Sequence, residues 1–204
     1  MEVSSPSMLP VMESFYTIQG EGAHTGKAAF FIRLAGCDVG CTWCDVKESW
    51  NASEHPVMPI EKLIEDSSLH PAKIVVITGG EPCMYDLTDL LKGLRQSGKQ
   101  THIETSGAYP LKGDADWICV SPKKFKKPIP ETIAIADELK VVVFHPSDLE
   151  WAASFLKDVK PDCQLFLQPE FGKSNKMAPL IVDFVKNNPI WRISLQTHKT
   201  LDIP

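Results

Sequence analysis

The chain has 204 residues, 43% of them hydrophobic, and a formal net charge of -5 at pH 7. That is enough chain for one domain with a sizeable core, and no apolar run nears the roughly 20 residues of a membrane span. The acidic balance excludes a generic nucleic-acid surface. The first residues lack the basic-then-apolar pattern of a secretion signal, so a cytoplasmic protein with reduced thiols is expected.

In chain order, Glu13 to Gly26 is rich in glycine and polar residues and reads as a functional loop. Ala28 to Leu34 reads as a first strand, delivering a cysteine loop at its C-terminal end. Pro59 to Ser67 has a helical period, with Ile60, Leu63 and Ile64 on one face. Lys73 to Thr78 is a buried strand that ends in Gly79-Gly80-Glu81-Pro82. Asp86 to Gln96 is a helix stopped by Gly98. Strands follow at Gln100 to Thr105, Trp117 to Val120, Leu139 to Phe144, Gln164 to Leu167 and Trp191 to Leu195. Helices are expected at Leu149 to Val159 and Met177 to Asn187, and a tail runs from Gln196 to Pro204. Short apolar strands alternating with helices argue a parallel sheet of βα units. The chain is shorter than the ~250 residues of a full eight-fold barrel. Only Ala108 to Asp116 separates two of the strands, too little for a crossover helix. The expected fold is a single α/β domain: a partial, trimmed (βα) barrel of about six parallel strands with fewer helices.

Chemistry concentrates at strand ends. Cys37, Cys41 and Cys44 fall at spacing C-x3-C-x2-C on a loop with Gly36 and Gly40. A closed structural zinc site takes four ligands, so that reading needs a distant partner such as His24 or His55. A cubane iron–sulfur cluster normally takes four thiolates, and three would leave one iron open to a small molecule. Thr78-Gly79-Gly80-Glu81 follows a buried strand, where glycines let backbone approach a ligand. Glu104, Thr105 and Ser106 stand at the next strand end, and Ser121 and Lys123 at the one after. Lys123 also begins a basic run to Lys127, which by itself reads as a solvated loop. The Glu21 carboxylate could accept paired N–H donors of a guanine-like edge, and the Arg33 fork could clamp a carboxylate, unless a neighbouring acid takes it. Gln19 and His198 are polar without an evident structural duty. Cys83, Cys119 and Cys163 are scattered, and buried thiols are their expected state.

The cysteine spacing with Trp43 before Cys44 resembles the radical S-adenosylmethionine (SAM) superfamily. There, the open iron chelates SAM, and an electron from the cluster cleaves it to a 5'-deoxyadenosyl radical. At whole-chain level more motifs occur in order: Glu13 to Gly22, Glu104-Thr-Ser-Gly, Ser121-Pro-Lys, Glu138-Leu-Lys-Val-Val-Val, Leu167-Gln-Pro and Gln196-Thr-His-Lys. Together they resemble the 7-carboxy-7-deazaguanine synthase family of the queuosine pathway. The resemblance implies a [4Fe-4S] cluster on Cys37, Cys41 and Cys44. It places SAM against Gly80, Ser121, Pro122, Lys123, Gln168, Pro169, Glu170 and Phe171, with Glu104 beside the ribose or the cation. The substrate, 6-carboxy-5,6,7,8-tetrahydropterin, would meet Ile18, Gln19, Gly20, Glu21, Arg33, Thr78, His198 and the terminal carboxylate of Pro204. The ring would contract with loss of ammonia, and SAM would be regenerated at each turnover. A homodimer and a flavodoxin-type electron donor are further implications. The family also implies Mg2+ at the substrate carboxylate, held by a Ser or Thr two residues past the last cluster Cys. That position is Val46 here, so either the ion sits on Asp45 or on waters, or the chain dispenses with it. The competing readings are a glycyl-radical-enzyme activase and a non-catalytic zinc-binding interaction module.

Overall fold

The computed structural model describes residues 7–204, which form one sheet of nine strands. Its strands are β1 (Met8–Ile18), β2 (Ala28–Leu34), β3 (Val57–Pro59), β4 (Ile74–Gly79), β5 (Gln100–Thr105), β6 (Trp117–Val120), β7 (Glu138–Val143), β8 (Gln164–Pro169) and β9 (Trp191–Ile193). The spatial order is β3-β1-β2-β4-β5-β6-β7-β8-β9. From β2 through β9 every neighbour is parallel, while β1 and β3 are antiparallel additions at one edge. The parallel part thus has seven strands where about six were expected.

Strand alternation gives this sheet two faces. Phe30, Ile32, Leu34, Val75, Ile77 and Ile103 join one apolar cluster with α1 (Ile60–Ser68) and α2 (Thr88–Gln96). Ile118, Val120, Leu139, Val141, Val143, Leu165 and Leu167 join a second, with α3 (Pro130–Ala134), α4 (Ser147–Ala153) and α5 (Ser174–Asn187). No helix joins β5 to β6, as the short spacer required. The opposite face is concave. A single short loop after β1 touches β5 and β6 through His24, β7 through Ala23 and Ser194 beyond β9 through Gly22. Only a curled sheet brings those strands within reach of one loop, so the architecture is an open, partial barrel with that loop as its floor.

Two expectations are corrected. Residues 13–18, assigned to a loop, are the second half of β1, paired with β2 from Val11↔Leu34 to Ile18↔Ala28. Polar residues at both parities hid this strand, since neither of its faces is uniformly apolar. The tail, given no structure, contains α6 (Thr197–Leu201), which ends at Asp202 in the left-handed region, φ 54°. The short elements β3 and α3 had not been expected, and elsewhere the ends move by a few residues. Asp86 lies outside α2 and accepts the Thr88 N–H at 3.0 Å, and α4 starts earlier and is shorter than the Leu149–Val159 helix expected. Among the described residues no helix is long and apolar enough to cross a membrane.

Candidate active site

β2 carries the cysteine loop to the open end of the barrel, and the turn after β4 is pressed against it. The Gly80 N–H donates to Leu34 O at 2.9 Å, and the Glu81 N–H to Gly36 O at 2.8 Å. A Cβ on Gly80 would sit 2.2 Å from Gly36 O. The paired glycines therefore seat this turn on the loop that bears the thiols, which the sequence reading had credited only with ligand approach. Glu81 is 1% exposed and accepts from Cys83 N (3.0 Å), Thr105 Oγ1 (2.5 Å), Ser106 N (2.8 Å) and Ser106 Oγ. The Thr105 and Ser106 hydroxyls are thus committed to Glu81, and a ribose there would have to compete for them. On the loop's other side Asp38 accepts from Tyr109 Oη (2.5 Å) and Lys126 Nζ (2.6 Å).

Cys37, Cys41 and Cys44 all line one cavity of about 480 Å³, within the range of small-molecule sites. Burial pushes the Cys37 thiol up and the Cys41 thiol to about 11, so cluster assembly must expel protons that this pocket otherwise retains. Among the described residues no three His, Cys, Asp or Glu side chains are grouped to hold one metal ion. A cubane asks for something else, because each thiolate takes its own iron. Cys83, Cys119 and Cys163 lie outside this cavity, as do His24 and His55. His55 is bonded to Glu48 O at 2.7 Å, and His24 packs on His102 and Trp117. Three thiols fit a cluster with one open iron, and the zinc reading is left without either histidine offered as its fourth ligand.

The expected substrate residues Ile18, Gln19, Gly20, Glu21, Arg33, Thr78, His198 and Pro204 line the same cavity. So do Gly80, Glu104, Ser121, Lys123, Gln168, Glu170 and Phe171 from the SAM set. Pro122 and Pro169 do not; both are buried beside a lining neighbour, Pro169 on the other face of β8 from Gln168. Lys123 departs from a solvated run: it turns inward to Ser121 O and Ser121 Oγ (2.7 Å), and burial lowers its pKa. Arg33 Nε is taken by Glu13 Oε1 at 2.7 Å, the neighbouring acid foreseen as the alternative.

The residue that sequence reasoning missed is Lys140 on β7. Its side chain is 3% exposed, and its ammonium meets Glu21 at 2.7 Å and Glu104 at 2.8 Å. Gln196 donates to the other Glu21 oxygen (2.9 Å) and Gln19 to the other Glu104 oxygen (3.2 Å). Every oxygen of the two carboxylates therefore has a donor. Burial opposes the charge on Glu21, but Lys140 overrides it and holds the carboxyl at about 2. Burial likewise opposes the Lys140 charge, yet Cys119, Glu104, Glu21 and Glu138 keep it well above its usual value. Burial raises Glu138, which accepts the Ala23 N–H at 3.1 Å and anchors the floor loop. A Lys and a Glu at i and i+2 in an otherwise Leu/Val strand was the available signal. Both had to share one face, and that face had to be buried.

A partial barrel that presents three thiols to one half-open cavity at its strand C-termini is the arrangement of a radical SAM enzyme. Residues 31–127 match the Radical SAM superfamily model. Relatives named 7-carboxy-7-deazaguanine synthase extend the match to nearly the whole chain. The protein from Flavobacterium psychrophilum is 54% identical over 202 residues, 99% of this chain and 96% of the relative. That from Synechocystis sp. is 44% identical, over 95% and 93%. That from Escherichia coli K12 is 34% identical, over 95% and 98%. The crystal structure of QueE from Escherichia coli superposes with a TM-score of 0.84 at 32% identity, over 94% of this chain and 95% of that one. The chain belongs to the 7-carboxy-7-deazaguanine synthase family.

Proposed function

We propose that the chain converts 6-carboxy-5,6,7,8-tetrahydropterin to 7-carboxy-7-deazaguanine and ammonia, as a radical SAM lyase of queuosine biosynthesis. The supporting observation is the single cavity, which joins three thiols on one wall to the Glu21–Lys140–Glu104 floor on another. When bound, a [4Fe-4S] cluster and SAM supply a hydrogen-abstracting carbon radical, and the protein supplies placement and exclusion of water.

Cys37, Cys41 and Cys44 hold the cluster in this reading. Gly80, Ser121, Lys123, Gln168, Glu170 and Phe171 line the SAM side. Glu21 presents an ionised carboxylate to the N–H edge of the pterin, and the terminal nitrogens of Arg33 face its carboxylate. His198 closes the wall against Gly20, where a Cβ would lie 2.3 Å from His198 Nδ1. Pro204 is drawn into the site by Thr17, whose hydroxyl donates to Pro204 O at 3.3 Å. A flavodoxin-type donor, a homodimer and a cytoplasmic setting complete the proposal on family resemblance.

Anaerobic incubation with SAM, reductant and the carboxypterin is expected to yield the deazapurine. Cys41→Ala is expected to abolish both the brown chromophore and turnover. Product formation by that variant would falsify the assignment.

A further inference from the structure

The magnesium ion implied by the resemblance does not fit the residues present. Val46 has no side-chain oxygen, and its carbonyl already accepts from Ser49 Oγ at 2.7 Å and Ser49 N at 3.2 Å. The carboxylate adjoining Cys44 in the chain, Asp45, lines the same cavity. Its Oδ2 takes the Lys199 ammonium at 2.8 Å and the Gln196 amide at 3.4 Å. Mg2+ demands near-octahedral oxygen ligation and dehydrates reluctantly. On Asp45 it would have to share one carboxylate with an ammonium already in place.

That cation is well placed to act itself. Lys199 lies on α6, next to His198, and the Thr197 N–H ties the helix start to Gly20 O at 3.0 Å. The ammonium lies 4.7 Å from the centroid of the Phe171 ring, which limits its swing toward solvent. Asp45, Val46, Lys199 and Arg33 all line the one cavity. A compact ammonium with three donors can bridge Asp45 and an incoming carboxylate without shedding a metal's hydration shell.

We infer that this chain binds the carboxylate end of its substrate without magnesium, with Lys199 supplying the positive charge beside Val46. The inference rests on the pterin reading given above and extends it to a single positioning residue. Gln196 carries the arrangement onward, since it contacts both Asp45 and Glu21. The charge at the carboxylate end is thereby joined to the floor that meets the opposite edge of the substrate.

The test is anaerobic calorimetry of carboxypterin binding to the cluster-loaded, SAM-bound protein, with chelator carried through desalting and with or without excess MgCl2. Wild-type affinity is expected to change less than about twofold with Mg2+. Lys199→Met is expected to weaken binding about tenfold or more, the scale of a lost charge-assisted hydrogen bond, and Lys199→Arg to recover most of it. Val46→Thr restores a hydroxyl, and its affinity is expected to rise with Mg2+ by about fivefold or more. Iron content and melting temperature of each variant separate lost binding from lost folding. A tenfold gain of wild-type affinity on adding Mg2+, or wild-type binding by a folded Lys199→Met, overturns the inference and leaves the pterin reading standing. If Lys199→Met does not fold, the wild-type and Val46→Thr responses to Mg2+ decide alone. Wild-type protein that binds no pterin under either condition removes the substrate reading, and this inference with it.

Discussion

The same strands carry two chemistries, sorted by parity. On β7, Leu139, Val141 and Val143 face the helices and are wholly buried among apolar neighbours, while Glu138 and Lys140 face the hollow. On β2, Phe30, Ile32 and Leu34 lie under α1 and α2, while Arg33 lines the cavity. The convex face stabilises by area removed from water. The concave face buries charges, which is tolerable only where each finds a partner. The fold can therefore be read from one set of residues and the function from the other, and they interleave at every second position.

Truncation on each face should sharpen this contrast. Lys140→Met leaves Glu21 and Glu104 facing each other without a cation. Breaking a buried pair in this way costs about 3–5 kcal/mol, and the pterin site should be lost with it. Leu90→Ala on α2 removes a wholly buried side chain from the convex core, at about 2–5 kcal/mol, but leaves the cavity lining intact. Anaerobic urea unfolding and pterin affinity, measured on both variants, check the pair. The two-face account fails if Leu90→Ala loses pterin affinity as Lys140→Met does at equal stability.

Much of the convex face was legible in the sequence. Lys73 to Thr78 is apolar at both parities because Ile74 and Val76 line the lower hollow while Val75 and Ile77 meet the helices. α1 and α2 announced themselves through apolar residues at helical spacing, whereas the five-residue α3 did not. β1 was not legible, because its concave residues, Glu13, Phe15 and Thr17, serve the site and carry no apolar period. α6 has five residues, too few for a periodic signal. Every expected site residue reached the cavity except Pro122 and Pro169, which were taken along with their neighbours in a motif: Pro169 points to the other face of β8 from Gln168, and Pro122 is buried just past the end of β6. The Lys199–Asp45 contact spans the chain from the cysteine loop to the tail, and Lys140 meets Glu21 from across the barrel. Neither pairing follows from local pattern.

The lower hollow gives a second way to test the contrast, through pH. His102 is 5% exposed on the concave face, with His24 at 4.5 Å and Trp117 at 6.2 Å between ring centroids. Burial, aided by His24 and Lys27, depresses its pKa from 6.5 to about 4, against the pull of Asp116 and Asp137. The unfolded chain therefore binds the extra proton first, and stability falls as pH drops from 6.5 toward 4. The loss over that window is about 3 kcal/mol. His102→Leu should flatten this slope, as read from urea midpoints near pH 7 and about pH 4.5. An unchanged slope would place the acid sensitivity elsewhere.

The smallest expected effect comes from the rim, where the two faces meet solvent. Glu13 is 46% exposed and holds Arg33 by Nε alone, which leaves the two terminal nitrogens of the guanidinium for a carboxylate. Glu13 is thus an aiming partner and, at the same time, a counter-charge that weakens the attraction Arg33 offers. Glu13→Gln keeps an acceptor for Nε and removes the charge. Because exposed ion pairs contribute only about 0–1 kcal/mol, the melting temperature should barely move. Pterin affinity should rise by about two- to threefold, since a partly screened guanidinium gains little from the loss of one exposed neighbour. Arg33 is also 5.8 Å from the Phe15 ring, which itself stacks on Phe31 at 5.3 Å, so its position does not depend on Glu13 alone. An affinity that stays constant in Glu13→Gln, at unchanged stability, would mean that the Arg33 fork does not face the substrate and that its role is to close the β1–β2 edge.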